Sequence, residues 1–332
     1  MEHAMRGAAL ALVTALGACA ANAQPPEAAP TPSLAPSRAD VEPVEDVLAQ
    51  LAEPDTTAGT RTVIDPASSR LTQGGLAFGR TEPGSEVFLD GEAVPVDRDG
   101  LFLLGFGRDA EPTAILMVRY PDGSDDQVPL AIEDRDFKEE QITGAPPRTV
   151  KPNPEDLAKI ARDREKKNAA RQRSSSEALW AEGFDWPARG RISGVYGSKR
   201  VYNGTPGRTF HSGVDVASPR NAQYPDPTSF IGAPVRAPSA GRVTLAEEGM
   251  FYEGGLVLID HGQNLETALL HMSRIDVEEG QLVEKGDLIG GIGMEGRATG
   301  PHLHWSLKWH GTLVDPQLVV GEMDASPVVS GE

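Results

Sequence analysis

The chain is poor in cysteine, in aromatic residues and in positive charge. A single cysteine in 332 residues excludes disulfide bonds within the chain. Aromatic residues make up 5%, against 36 Gly and 27 Pro, and this balance favours short strands and turns over long helices. Because 49 Asp and Glu outnumber 31 Lys and Arg, the formal net charge is −18, which argues against a nucleic acid as partner.

The first residues predict export from the cytosol. Arg6 precedes an apolar run at residues 8–16, which is too short to span a membrane but typical of a signal-peptide core. Two processing sites remain open. Cleavage after Ala23 would remove residues 1–23 as a signal peptide, whereas a lipoprotein-like box would place a lipid anchor on Cys19. We therefore expect a periplasmic or secreted protein or, as the alternative, a membrane-anchored lipoprotein.

Composition divides the next part of the chain. Residues 24–60 are rich in Pro, Ala and acidic residues, which predicts a disordered tether, and residues 321–332 are expected to form a flexible tail. Residues 61–142 alternate short apolar runs with turn signals. Asp-Gly pairs at 90–91 and 99–100 predict β-hairpins, so we expect a small β-sandwich that resembles immunoglobulin-like modules.

Residues 152–182 predict a helical linker. Asn153 is a good N-cap, and Pro154 fits the first helical position. Few apolar residues follow, so the helix is expected to be exposed. Its basic run at 166–173 could contact an anionic polymer or a membrane, but a solvated face is the expected outcome.

Residues 183–320 return to strand and turn patterns, and they contain a spaced pair of metal-binding residue types. In "HSGVD", His211 and Asp215 are four positions apart. In a straight strand this spacing is roughly 13 Å, too far for one ion. A bend at Gly213 would bring the two side chains together, and glycine permits such a bend. The spacing alone is a weak signal.

Two further histidines occupy "GPHLHW". In a strand, His302 and His304 point to the same face while Leu303 faces the core. The alternative is an exposed polar face that contains two histidines by chance. His271, in "LLHMS", would on its own more often be a structural histidine than a catalytic one.

Together these five residues indicate a metal site. Zinc is commonly held by imidazole nitrogen and carboxylate oxygen, with three protein ligands and one open position in catalytic sites. The candidates are His211, Asp215, His271, His302 and His304. Since five candidates exceed three positions, two of them are expected to have another role.

The order of motifs across residues 193–316 resembles the M23 family of zinc endopeptidases, the lysostaphin and LytM-like group. The matching segments include "HSGVDVASP", "GAPVRAPSAGRV", "LLHMSRI" and "GRATGPHLHW". The resemblance implies a LytM/lysostaphin-like β-sandwich metallopeptidase domain at 183–320 with one Zn²⁺ per chain. It implies that His211, Asp215 and His304 bind zinc, and that His271 and His302 are catalytic residues that do not bind the metal.

Two features depart from the family pattern. The family's tyrosine near the site has no secure counterpart here, and Tyr202 is a loose candidate. The segment after Asp215, residues 217–235, is longer than the usual connection. It could shape a substrate groove, although a tolerated surface insertion is slightly favoured.

The resemblance implies a zinc-dependent endopeptidase that cleaves peptide cross-links of peptidoglycan, with D,D-endopeptidase activity expected by analogy. The alternative is a non-catalytic LytM-type scaffold, or an activator of a cell-wall amidase, with cell-envelope protein partners. Such members lack site residues, whereas all five are present here. A lipoyl-type carrier is disfavoured because no lysine lies between Arg242 and Lys285.

Overall fold

The computed structural model describes residues 61–323, and strands dominate this part of the chain. The mainly β fold predicted from the sequence is confirmed. The predicted signal peptide, the tether, Cys19 and all but the first three residues of the predicted tail lie outside the described residues. None of the helices between residues 61 and 323 is long and apolar enough to cross a membrane.

Seven strands at the start of the described chain form two small antiparallel sheets. They are β1 Val63–Ile64, β2 Leu76–Arg80, β3 Glu86–Leu89, β4 Glu92–Val94, β5 Leu101–Gly105, β6 Thr113–Arg119 and β7 Asp125–Ala131. One sheet has the order β1-β2-β5, and the other has the order β4-β3-β6-β7. Buried apolar side chains from both sheets belong to one hydrophobic core.

The two predicted Asp-Gly hairpins have different outcomes. Asp90 and Gly91, with φ of 50° and 83°, join β3 to β4 in an antiparallel hairpin, as predicted. The turn at 99–100 instead leads from β4 into β5, which pairs with β2 in the other sheet, so the predicted hairpin there is wrong. The Asp97 carboxylate accepts hydrogen bonds from the amides of Asp99 and Leu101, and these bonds stabilise the turn without strand pairing.

Twelve strands follow in the C-terminal half. They are β9 Arg191–Gly194, β10 Lys199–Tyr202, β11 Thr205–Phe210, β12 Val214–Ala217, β13 Pro234–Arg236, β14 Gly241–Met250, β15 Gly254–Asp260, β16 Leu265–Ile275, β17 Leu282–Val283, β18 Leu288–Ile292, β19 His302–Trp309 and β20 Thr312–Val314. Ten of them form one sheet with the central order β17-β14-β15-β16-β19-β12-β9. Strands β10 and β11 form a separate hairpin beside it.

The segment between the two strand regions contains the strand β8 Glu139–Ile142, the helices α1 Pro147–Val150 and α2 Pro154–Ala170, and a 3-10 helix at Leu179–Glu182. The strand Glu139–Ile142 lies at the end of the range predicted as a sandwich, but it pairs in parallel with β10. The predicted N-cap is confirmed. The Asn153 side chain accepts a hydrogen bond from the Asp156 amide, and the Asp156 carboxylate accepts one from the Asn153 amide.

The basic run at the C-terminal end of α2 forms ion pairs with the large-sheet region. Its side chains form ion pairs with carboxylates of the β14–β16 region, namely Lys166 with Glu247, Lys167 with Glu253 and Arg171 with Glu266. Lys167 and Arg171 are only 20% and 28% exposed at the side chain. The expected solvated face is therefore found only in part, since Lys166 and Arg173 are 50% and 57% exposed at the side chain. The carboxylate partners are distant in sequence.

The alternation predicted for β19 is confirmed. Leu303, Trp305 and Leu307 are fully buried, and they contribute to the core shared with the small sheets. The opposite face of β19 carries His302 and His304. This alternation fixes one face of the strand in the core and leaves the other for the histidines.

Candidate metal centre

Strand pairing brings three predicted metal ligands together. His211 follows β11, Asp215 lies in β12, and His304 lies in β19. Asp215 is the direct antiparallel partner of His304. Side chains that are opposite each other in an antiparallel pair are close neighbours, so the register alone places these two groups together.

The predicted bend between His211 and Asp215 is present. His211, Ser212 and Gly213 separate β11 from β12, and His211 Nε2 lies 3.1 Å from Asp215 Oδ1. A Cβ atom at Gly213 would lie 2.0 Å from the carbonyl oxygen of Trp305. Glycine is therefore required here by the close approach of β19.

The three candidate ligand atoms form a compact triangle. His211 Nε2 is 3.0 Å from His304 Nδ1, and His304 Nδ1 is 2.8 Å from Asp215 Oδ1. Ligands at zinc distances in a tetrahedral site are about 3.3 Å apart, so a small outward shift would accommodate the ion. The residues are also the only group of three or more potential ligands within 4.8 Å of one another between residues 61 and 323. Two imidazole nitrogens and one carboxylate oxygen fit zinc chemically.

Hydrogen bonds on the far side of each ring select the nitrogen that faces the centre. His211 Nδ1 donates to the carbonyl oxygen of Val195 at 2.8 Å, which leaves Nε2 free. His304 Nε2 lies 3.1 Å from Ser212 Oγ, which leaves Nδ1 free. We assign these tautomers from the hydrogen bonds. Such outer contacts orient the ligands of a metal site.

The electrostatic environment favours the protonation states that a metal requires. Burial is the main cause that lowers the pKa of His304 to about 4, so its imidazole is neutral at pH 7. Burial by itself would raise the pKa of Asp215, but His211, His302 and His304 outweigh it and hold this pKa well below its usual range. The carboxylate is therefore ionised and the imidazole is neutral, as metal ligation requires.

The other two predicted site histidines face the same centre without joining the triangle. The rings of His271 and His302 lie 4.7 Å apart between centroids. His302 Nε2 is 3.6 Å from Asp215 Oδ1, farther than the ligand atom of His304. His271 Nδ1 donates to the Glu295 carbonyl and His302 Nδ1 to the Gly300 carbonyl, so each keeps Nε2 free.

His271 has a strained backbone that its sequence context did not predict. Its φ of 65° is unusual for a residue other than glycine within a strand region. Its amide donates to the Glu253 carbonyl at 2.8 Å, which fixes this conformation. Burial, together with His302 and His304, holds the pKa of the imidazole well below its usual range. Strain of this kind is concentrated at functional sites.

Arg200 is a site residue that the sequence did not reveal. Its Nη2 donates to Asp215 Oδ2 at 2.7 Å, while its Nε donates to Glu140 Oε2 at 3.0 Å. A Cβ atom at Gly194 would lie 2.1 Å from that Nη2 and 2.4 Å from Asp215 Oδ2. The glycine therefore leaves room for the ion pair. No local signal in "GSKRVY" distinguishes Arg200 from an exposed arginine.

The remaining histidines and the candidate tyrosine fall outside the triangle. His261 and His310 lie in the turns between β15 and β16 and between β19 and β20. His261 is fully buried and bonds to the Ala240 carbonyl and the Thr267 hydroxyl, so its role is structural. Tyr202 lies at the end of β10 and lines the groove beside His271.

The groove over the centre consists of two pockets. The helix-side pocket, about 640 Å³, is lined by residues that include Leu157, Ile160, Tyr252 and Leu270. The basic pocket, about 370 Å³, is lined by residues that include Arg191, Arg220, Thr299 and His302. Both pockets share a border of Arg200, Tyr202, His271 and Arg297. The groove therefore extends to both sides of the candidate centre.

Comparison with known proteins supports the resemblance seen in the motifs. The model of peptidase family M23 matches residues 209–316. The peptidoglycan DD-endopeptidase ShyA of Vibrio cholerae is 37% identical over 125 residues, which are 38% of this chain and 26% of that protein. The DD-carboxypeptidase/endopeptidase Mpg of Neisseria meningitidis is 37% identical over 106 residues, which are 32% of this chain and 22% of that protein. The matches thus span about a quarter of the length of these relatives.

One solved structure matches a larger part of the chain. It is the crystal structure of a protein from Pseudomonas aeruginosa assigned to peptidase M23, with a TM-score of 0.55 and 28% sequence identity. The match covers 76% of this chain and 96% of that one, so it extends beyond the metal-site region. Residues 209–316 therefore match peptidase family M23 in sequence, and the fold is similar to that of a solved structure assigned to the same family.

Proposed function

We propose that this protein is a zinc-dependent endopeptidase that hydrolyses peptide cross-links of peptidoglycan. The observation that carries the proposal is the convergence of a His-Asp-His triangle with two further imidazoles, each with one free nitrogen toward the same centre. The names of the relatives ShyA and Mpg support the substrate class and a DD-endopeptidase activity.

His211, Asp215 and His304 would hold the metal through Nε2, Oδ1 and Nδ1. A bound zinc ion would act as a Lewis acid and lower the pKa of a water molecule toward neutrality. Val195, Ser212 and Arg200 hold the three ligands from outside the triangle. They keep the ligand atoms directed inward.

His271 and His302 would transfer protons and stabilise negative charge during amide hydrolysis. Each has a free Nε2 on the groove side, because Nδ1 donates to a backbone carbonyl. One imidazole can accept a proton from the attacking water and return it to the leaving amine. The other can stabilise negative charge on the carbonyl oxygen of the scissile amide.

The proposal includes export of the protein. A cell-wall substrate requires a periplasmic, secreted or lipid-anchored enzyme, and the sequence features at residues 1–23 and at Cys19 fit that requirement. A non-catalytic scaffold or amidase activator would bind the same wall without releasing products. The presence of all five site residues favours the enzyme.

Metal content of single variants tests the site. We expect about one zinc per wild-type chain and loss of zinc in His211→Ala and His304→Ala. His271→Ala and His302→Ala should retain zinc but lose at least about 100-fold in hydrolysis, because they remove proton transfer and leave the ligands intact. Zinc that stays in His304→Ala but leaves His302→Ala would mean that the two histidine roles are reversed.

Product analysis tests the substrate. Purified peptidoglycan is incubated with zinc-loaded protein, and the released muropeptides are separated and identified by mass. We expect cross-linked dimers to disappear in favour of monomers, and a chelator to stop the reaction. Zinc-loaded wild type that binds peptidoglycan but releases no products would favour the scaffold.

A further inference from the structure

Three arginines line the basic pocket in addition to Arg200. Arg191 lies at the start of β9, Arg220 lies in the segment after β12, and Arg297 precedes β19. None of the three forms an ion pair with any residue between 61 and 323. Among the described residues that line this pocket, Asp215 is the one carboxylate, and it is already bound to Arg200.

This concentration of positive charge is unusual in an acidic chain. The formal net charge is −18, and basic side chains at the end of α2 pair with carboxylates, as Lys167 does with Glu253 and Arg171 with Glu266. Since Arg200 and Asp215 neutralise each other, the lining of the basic pocket keeps three positive charges. A concave, positively charged site attracts an anionic ligand.

Arg297 is oriented by aromatic rings. Its guanidinium carbon lies 4.6 Å from the ring centroid of Tyr202 and 4.8 Å from that of Tyr252. Its amide also donates to the Tyr252 carbonyl at 2.9 Å. Cation–π contacts fix the direction of the side chain without cancelling its charge, so the guanidinium remains able to bind an anion.

Arg220 is presented by an ordered segment. Phe230 of the same segment is buried and packs edge-on against Tyr224, with 4.9 Å between centroids. The Ser218 hydroxyl accepts the Arg220 amide and donates to the Tyr224 carbonyl. The backbone of Arg220 has a φ of 54°, an uncommon conformation for arginine. The longer connection after Asp215 therefore contributes to the groove wall, contrary to the slightly favoured expectation of a plain insertion.

We propose that the basic pocket binds a free carboxylate of the peptide substrate, next to the amide bond that is hydrolysed. Arg191, Arg220 and Arg297 would contact the carboxylate, and His302 on the same pocket wall connects it to the candidate catalytic centre. Guanidinium groups bind carboxylates with directed, charge-assisted hydrogen bonds. This inference rests on the proposed endopeptidase function and specifies which substrates that function selects.

Two matched substrates test the proposal. One is a synthetic cross-linked stem-peptide dimer with free carboxylates, and the other is the same dimer with every carboxylate converted to a carboxamide. We expect zinc-loaded wild type to prefer the carboxylate form by about tenfold in kcat/KM, with the difference mainly in KM. The double variant Arg191→Gln, Arg220→Gln should cleave both dimers with a preference below about twofold.

The control variant is Arg98→Gln. Arg98 is 92% exposed at the side chain, lies in the turn between β4 and β5, and lines neither pocket. The substitution removes one positive charge without changing the groove. This variant should therefore keep the wild-type preference for the carboxylate dimer. Equal cleavage of the two dimers by wild type, or an undiminished preference in the double variant, would overturn the proposal.

A binding measurement separates this proposal from the proposed function. Fluorescence anisotropy of a labelled stem tetrapeptide, as carboxylate and as carboxamide, is recorded with metal-free full-length protein. We expect about tenfold tighter binding of the carboxylate by wild type and no preference in the double variant. Failure of wild type to cleave either dimer, with this binding preference intact, would reject the enzyme and leave the carboxylate pocket supported. Equal binding of both peptides would reject the pocket.

Discussion

Arg200 contacts two carboxylates at once, and its position determines where the Asp215 side chain points. Its guanidinium holds Oδ2 of Asp215 at 2.7 Å, so Oδ1 faces the two histidines. Glu140, from a strand outside the large sheet, holds the other side of the guanidinium. The ligand geometry therefore depends on a contact between two separate sheets.

We predict that Arg200→Gln weakens zinc binding by about 10- to 100-fold, because it removes the group that orients Asp215. The measurement is a competition titration of purified protein against a chromogenic chelator at pH 7. Arg274→Gln is the matched control, since Arg274 pairs with Asp276 at the surface. Equal zinc affinities for Arg200→Gln and wild type would contradict a positioning role.

At the residue scale, the sequence identified the candidate site residues better than it identified their arrangement. His211, Asp215, His271, His302 and His304 were predicted from their types, from spacing and from family motifs. Arg200 and Arg297 were not predicted, because their roles depend on residues brought close only by folding. The same holds for the positive φ of His271, which depends on its contact with the Glu253 carbonyl.

At the scale of elements, helix α2 also combines a feature that the sequence predicts with contacts that it does not predict. Its N-terminus was predicted correctly, because Asn153, Pro154 and Asp156 carry a local capping signal. The partners of its basic face were not predicted. The ion pair of Lys166 with Glu247 joins residues 81 positions apart, and sequence periodicity contains no information about such a contact.

Helix α2 also forms a wall of the helix-side pocket. Leu157 and Ile160, both near its N-terminus, line this pocket, whereas Arg220 lines the basic pocket. The capping contacts therefore help to position residues that line the groove, and they also stabilise the helix. Asp156 is fully buried and also binds Arg148, so the start of the helix is firmly attached.

We predict that Asn153→Ala lowers the free energy of unfolding by about 1 kcal/mol, because it removes the side-chain acceptor for the Asp156 amide. Urea titration followed by circular dichroism measures the change. Lys151→Ala is the control, since Lys151 is exposed and lies outside the cap. A loss in Asn153→Ala no larger than in Lys151→Ala would show that the cap contributes little.

At the scale of the whole molecule, the small sheets and the large sheet share one hydrophobic core. Gln263 donates to the Leu101 carbonyl at 2.8 Å, and Arg135 binds the buried carboxylate of Asp315 at 2.8 Å. Gly105 of β5 lies against the ring of Trp309, so the small sheets pack on the strand β19 that carries His302 and His304.

A buried histidine, His261, is expected to make the stability of the protein depend on pH. His261 is fully buried, with Nδ1 donating to the Ala240 carbonyl and Nε2 accepting from the Thr267 hydroxyl. Burial lowers the pKa of this imidazole to about 4, from an ordinary value of 6.5. Below pH 6.5 the unfolded chain binds a proton at His261 that the folded chain excludes until about pH 4.

We predict that His261 lowers the free energy of unfolding by about 1.4 kcal/mol per pH unit as pH falls between 6.5 and 4, or about 3 kcal/mol in total. Stability from this group is therefore complete above pH 6.5 and is lost on acidification. Urea unfolding of metal-free wild type and His261→Asn at half-unit pH intervals measures the effect. Subtracting the two curves cancels the site histidines common to both proteins. The variant should be less stable at pH 7 but less sensitive to acid, and parallel curves for the two proteins would contradict the assignment.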